Sequence, residues 1–148
     1  MPTDTSYLKD YPCFRNLSES QLGAIAEITN AVCYPPGYVL FKEGKPGERL
    51  FFLVKGEVEV FYEIGEAGQV RVDTVWGEDV IGCSALVEPY EYTATERSLT
   101  EIEVLEIDAL ALRELMQKDC CLGFSLLQYL ISNLMKRVVD LRLGAEGR

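Results

Sequence analysis

The sequence predicts a mainly-β protein: an antiparallel β jelly-roll barrel with an N-terminal helix and two C-terminal helices. Three observations predict it. From Tyr38 to Ile107, short apolar or alternating segments are separated by glycine turns, the pattern of an antiparallel barrel or jelly roll. Ahead of Pro35-Pro36-Gly37, apolar residues recur at helical spacing. After Asp108 the helical period returns and runs almost to the last residue. The 148 residues suffice for one domain with a true core. It is read as a helical part over 6–28, a β jelly roll over 29–108 and helices over 109–148.

Within 6–28, Ser18 is placed to cap a helix over Glu19–Ile28, with Leu22, Ile25 and Ile28 on one face. Val39-Leu40-Phe41 reads as a short strand, closed by Glu43-Gly44 and Pro46-Gly47. Leu50-Phe51-Phe52-Leu53-Val54 is almost continuously apolar, as a strand buried on both faces must be. Lys55-Gly56 signals a tight hairpin. Val58, Val60 and Tyr62 alternate with Glu57, Glu59 and Glu63, which marks a strand with one wet face. Gly65–Gly68 makes a turn, and Val70, Val72 and Thr74-Val75-Trp76 form the next strand, ended by Gly77. Thr93–Ser98 and Glu101–Ile107 complete the set. Asp108 can cap a helix through Met116. A second helix follows from about Cys121 to Leu143. Leu127, Ile131, Leu134, Val138 and Leu141 form one stripe on it. Leu126, Leu130, Met135 and Val139 widen the arc to roughly 200° at about 100° per residue. A helix packed on one side needs little more than half of that. Either the barrel and N-terminal helices cover the whole arc, or part of it is a seam to a second copy of the chain.

Composition narrows the function classes. The formal net charge is −10, from 14 basic and 24 acidic residues. That argues against binding nucleic acid, which needs a basic surface, and against docking on anionic membranes. Asp4, Lys9 and Asp10 interrupt the first twenty residues, so no signal peptide is expected. No stretch approaches the roughly 18 apolar residues of a membrane span. The five cysteines are odd in number and lack metal-like spacing. Reduced thiols in a cytoplasmic protein are expected, with adjacent Cys120 and Cys121 as packing residues. The chain has no histidine, which removes the commonest general base and metal ligand. No catalytic residue, metal site or enzymatic activity is expected.

One stretch carries chemistry of its own. Ile81-Gly82-Cys83-Ser84-Ala85-Leu86-Val87, followed by Tyr92-Thr93-Ala94-Thr95, resembles the phosphate-binding cassette of the cyclic nucleotide-binding domain family, typified by bacterial CRP-like regulators and protein kinase A regulatory subunits. The resemblance extends to Pro36–Gly44, to the Leu50–Val58 hairpin and to Gly77–Gly82, and spans about residues 6–140. It implies the jelly roll of that family. It also implies a ligand site at Gly82, Cys83, Ser84, Ala85, Tyr92 and Thr93, with cyclic AMP or cyclic GMP as the family's ligand. Cys83 stands where the family has a glutamate for the ribose 2′-hydroxyl. Tyr92 stands where it has an arginine for the cyclic phosphate. In several members the helix matching 121–143 forms the dimer seam. The chain ends five residues after Leu143, so the DNA-binding helix-turn-helix of the family's transcription factors is not expected.

The cassette works by geometry. Gly82 allows a tight bend at a strand end. A short helix around Ser84-Ala85-Leu86 then aims its first amides at an anion, small residues let the phosphate approach, and Leu86 and Val87 plug the turn into the barrel. A planar arginine fork is missing, and removing one member of such a pair costs about 2–5 kcal/mol. Glu78, Asp79, Glu88, Glu91, Glu96, Glu101 and Glu103 stand against Arg97 alone between residues 78 and 103. Arg97 lies five residues after Tyr92, so strand alternation puts it on the opposite face. The Tyr92 ring either fills the space of the missing arginine, with its hydroxyl on a nearby backbone group, or contacts an uncharged or planar ligand. Thr93 is either a strand residue or a ligand contact, and Ser84 either a cap or a donor. Helix amides would activate the Cys83 thiol, whereas the local negative charge opposes that. The expectation is a non-enzymatic regulatory domain that binds cyclic nucleotides weakly or not at all and acts through a protein partner or a second copy. The alternative is a true cyclic nucleotide receptor that relies on backbone amides and Ser84.

Overall fold

The computed structural model describes residues 8–76 and 79–146. Gly77 and Glu78 of the run into the cassette, and Ser6 and Tyr7 of the expected N-terminal helix, lie outside the described residues. Two four-stranded antiparallel sheets face each other as a jelly roll. The strands are β1 (Thr29–Tyr34), β2 (Val39–Phe41), β3 (Arg49–Lys55), β4 (Glu57–Glu63), β5 (Gln69–Trp76), β6 (Asp79–Ile81), β7 (Thr95–Ser98) and β8 (Ile102–Asp108). One sheet has the order β1-β8-β3-β6 and the other β2-β7-β4-β5.

The apolar run of β3 divides between two cores, as alternation requires. Leu50 and Phe52 face a helical layer, where they meet Phe14, Leu22, Ile25 and Leu122. Phe51 and Leu53 face the space between the sheets, with Val58, Ile81, Tyr92 and Val104. In β8, Leu105 and Ile107 join the first core and Ile102 and Val104 the second.

The helices are α1 (Glu19–Glu27), α2 (Ala109–Lys118) and α3 (Cys120–Glu146). The region expected to be helical over 6–28 is broken: a 3-10 turn at Pro12–Phe14 precedes α1, and the chain between them makes turns. Ser18 caps α1 in a reciprocal box. Its Oγ accepts from the Gln21 amide at 3.2 Å, and its own amide donates to Gln21 Oε1 at 2.9 Å. Asp108 caps α2 by accepting from the Ala111 amide at 2.8 Å. In α3, Leu122, Leu126 and Leu130 are buried. The stripe from Leu127 onward is open, with Ile131 57% and Val138 43% exposed, so the described residues of the barrel and the N-terminal part do not cover the arc. No described helix is long and apolar enough to cross a membrane.

Other sequence expectations need correction. β1 was not foreseen; it pairs along its length with β8. β7 starts at Thr95 rather than Thr93. The wet face of β4 is not wet at Glu59, which accepts Arg71 at 3.2 Å and Arg97 at 3.3 Å and is only 9% exposed. A register shift between Val60 and Phe61 accompanies a buried Phe61 and an exposed Tyr62.

Candidate ligand-binding site

Strand β6 runs into Gly82, which bends the chain at φ +81°. A Cβ there would come within 3.2 Å of the Phe41 ring and 3.3 Å of Tyr92 and of the Arg49 carbonyl. Both backbone and space therefore call for glycine. The expected short helix is a 3-10 turn, Cys83–Leu86, closed by the Ala85 amide on the Gly82 carbonyl at 3.0 Å. Leu86 packs against the helical core, but Val87 is 62% exposed and plugs nothing.

The back of this turn is held from two sides. The loop at Gly47 passes so close that a Cβ on it would sit 2.6 Å from the Cβ of Ala85. From α2, Arg113 donates to the Ala85 carbonyl at 2.8 Å, and its guanidinium lies 3.9 Å above the Tyr90 ring.

Tyr92 is 6% exposed and belongs to the inter-sheet core. Its ring stacks on Phe41 with centroids 3.9 Å apart. Its hydroxyl donates to the Arg49 carbonyl at 2.7 Å and accepts from the Arg49 amide at 3.0 Å. Burial pushes the phenol above its usual range, although the hydrogen bond from the Arg49 amide opposes that. The group is a neutral hydroxyl that ties the cassette to the start of β3.

In front of the turn lies a cavity of about 190 Å³. Gly82, Cys83, Ser84 and Thr93 line it from the cassette; Ala85 and Tyr92 do not. Phe41, Val60 and Val75 line it from the barrel, and Leu134 and Arg137 from α3. Arg137 hydrogen-bonds Asp79 at 2.6 Å and also Asp73. Asn133, one helical turn earlier, donates to Asp79 at 2.9 Å. Glu96, on β7, also lines the cavity. The residue is half-buried, but its Oε1 is shut off from solvent and has no hydrogen-bond partner among the described residues. Burial pushes this carboxyl up to about 8; Arg137 opposes the shift, and Asp79 and Asp73 add to it. Burial also raises the Cys83 thiol, helped by Glu96 and Asp79 and opposed by Arg137. Cys83 is thus a thiol rather than an activated thiolate.

Comparison with known proteins agrees with this geometry. Residues 31–119, more than half of the chain, match the model of the cyclic nucleotide-binding domain. The chain belongs to the cyclic nucleotide-binding domain family. It is 28% identical over 101 residues to a CRP-like cAMP-activated global transcriptional regulator of Mycobacterium tuberculosis, covering 68% of this chain and 45% of that protein. It is 30% identical over 112 residues to a cAMP-dependent protein kinase regulatory subunit of Pyricularia oryzae, covering 75% of this chain and 28% of that protein. The chain thus spans less than half the length of these curated relatives. Among solved structures, a candidate cyclic nucleotide-binding protein of Geobacter metallireducens GS-15 superposes with a TM-score of 0.83 at 30% identity, covering 92% of this chain and 98% of that one.

In this cyclic nucleotide-binding domain the bend at Gly82 and the Cys83–Leu86 turn are formed, and Asp73, Asp79, Glu96 and Arg137 are charged groups gathered beside them. Arg97 faces away, as alternation expects: it pairs with Glu59 and lies 4.6 Å over the Phe61 ring. Sequence reasoning missed Arg137 and counted Glu96 only among the acids around the cassette. The signal for Arg137 was present, since Asn133 and Arg137 are polar residues four apart on an otherwise widely apolar helix.

Proposed function

We propose that this chain is a non-enzymatic regulatory domain of the cyclic nucleotide-binding fold, in a cytoplasmic setting, with weak or no affinity for cyclic AMP and cyclic GMP. The observation that carries this reading is the lock on Tyr92. The side chain at the family's arginine position is spent on Phe41 and on the Arg49 backbone. Arg137 offers no substitute, because Asp73 and Asp79 already take its guanidinium. A phosphate entering the cavity would meet Asp73 and Glu96 as well. Losing the arginine fork alone costs about 2–5 kcal/mol, roughly 30- to several-thousand-fold in affinity. Titration with cyclic AMP and cyclic GMP by calorimetry is expected to give no binding tighter than hundreds of micromolar. A micromolar dissociation constant for either would overturn the proposal in favour of a receptor working through its amides and Ser84.

The output surface in this reading is α3. Leu127, Ile131, Leu134, Val138 and Leu141 are each at least 42% exposed, on a helix whose other side is held in the core by Leu122, Leu126 and Leu130. A second copy of the chain would cover this stripe, with a protein partner as the other candidate. Leu134 both belongs to the stripe and lines the cavity, so an occupant of the cavity would touch the seam. Light scattering is expected to give a dimer mass, and Ile131→Glu to give a monomer. A wild-type monomer at high micromolar concentration would remove the seam.

A further inference from the structure

Glu96 is the feature that the cyclic nucleotide reading leaves unused. Buried polar atoms are almost always paired, so a carboxyl oxygen sealed in a cavity without a partner marks a bond waiting to be made. We infer that this cavity takes a small, uncharged amino-substituted nitrogen heterocycle, whose ring nitrogen and adjacent amino group pair with the two oxygens of Glu96. The inference rests on the reading that the cyclic phosphate has lost its place here, and it names what takes the site instead.

Three properties of the cavity select this class. The first is size. About 190 Å³ is below the roughly 300–1,000 Å³ of clefts for drug-sized ligands, and suits a single ring system. The second is shape and polarity. Phe41, Val60, Val75 and Leu134 give apolar walls against which a flat ring can lie, and Glu96 stands among them with an oxygen that no described residue hydrogen-bonds. The third is charge. The groups facing Glu96 are Asp73 on β5, Asp79 on β6, Arg137 on α3 and the Cys83 thiol, and Arg137 is bound by both aspartates. An anion would be repelled by this set, and a cation would have to expel the Glu96 proton.

A carboxyl that titrates near 8 is protonated at pH 7. It then offers an O–H donor beside a C=O acceptor. Its complement is a ring nitrogen acceptor beside an N–H donor, the edge of an aminopyrimidine. Ser84 and Thr93 also line the cavity.

The test uses the whole chain and 2-aminopyrimidine as probe, followed by calorimetry or ligand-observed NMR. Benzamidine serves as the cationic control and cyclic AMP is titrated in parallel. 2-Aminopyrimidine is expected to bind at pH 7 and to weaken about tenfold by pH 9, one unit above the carboxyl's titration. Glu96→Gln keeps a donor and an acceptor side by side, so it is expected to bind equally at both pH values. Glu96→Leu is expected to lose about tenfold or more. It should remain folded because it removes an unpaired buried carboxyl, and thermal melting checks this. No binding of 2-aminopyrimidine at millimolar concentration would overturn the inference. Wild-type affinity in Glu96→Leu, or benzamidine binding tighter than 2-aminopyrimidine at pH 7, would do the same. The cyclic AMP titration reads the underlying proposal separately: micromolar binding there defeats that proposal, whereas failure of the heterocycle alone defeats only this one.

Discussion

Glu96→Gln is expected to remove a fall in stability that the wild-type domain shows between about pH 4.5 and pH 8. In the unfolded chain Glu96 titrates like any exposed glutamate, near 4.3. In the folded chain burial holds it up to about 8, against the pull of Arg137 and with the help of Asp79 and Asp73. Between those two values the native state keeps a proton that the unfolded state has released. Stability therefore decreases as pH rises through this window. Below it both states are protonated, and above it both are ionised, so the penalty is absent at the acid end and constant at the alkaline end. Each unit of separation is worth about 1.4 kcal/mol, which puts the loss on the order of a few kcal/mol. Glutamine has the same shape and cannot ionise, so its curve lacks this slope while keeping whatever other groups contribute. Urea unfolding of both proteins at pH 5, 6.5 and 8 measures the difference. Parallel profiles would mean that Glu96 is already ionised in the folded state, with its charge paired.

Which parts of this molecule could be read in the sequence follows from where the information lies. The two-faced burial of β3 was legible because both of its faces are apolar in the chain itself, Leu50 and Phe52 on one side and Phe51 and Leu53 on the other. The bend at Gly82 was legible because it needs one residue type at one place. Strand β1 was not, because Thr29, Asn30, Ala31 and Cys33 give little apolar signal, and its place comes from a backbone ladder with β8. Glu59 looked like a solvent residue, and only its cross-strand partners Arg71 and Arg97 make it a buried one. The Arg137 ion pairs span 58 and 64 residues of sequence. No local period or spacing reports a contact of that range.

The long helix illustrates the same limit. Its apolar arc looked uniform, yet Leu122, Leu126 and Leu130 are buried while Phe124, Leu127 and Ile131 are exposed. Further along, Asn133 and Arg137 tie the helix to Asp79 and Asp73 at the cavity's edge. One helix thus carries the core contact, the cavity wall and the open stripe, with Leu134 shared by the last two.

Tyr92 gives the second large effect. Tyr92→Ala is expected to destabilise the domain by about 3–5 kcal/mol, the range for deleting a buried aromatic ring. Phe41 would lose its stacking partner, and the space beside Gly82 would be left unfilled. Tyr92→Phe separates the hydroxyl from the ring. It keeps the packing and leaves the Arg49 amide and carbonyl without their 3.0 Å and 2.7 Å partners, at a cost of about 1–3 kcal/mol. The ordering distinguishes an anchor from a filler. If Tyr92→Phe is as stable as wild type while Tyr92→Ala is not, the residue only fills space beside Phe41 and Gly82. If both fall in the expected order, the hydroxyl stitches the cassette to the start of β3. Chemical denaturation of the three proteins in one buffer at pH 7 decides between them, since the phenol is neutral there and its pH dependence does not enter.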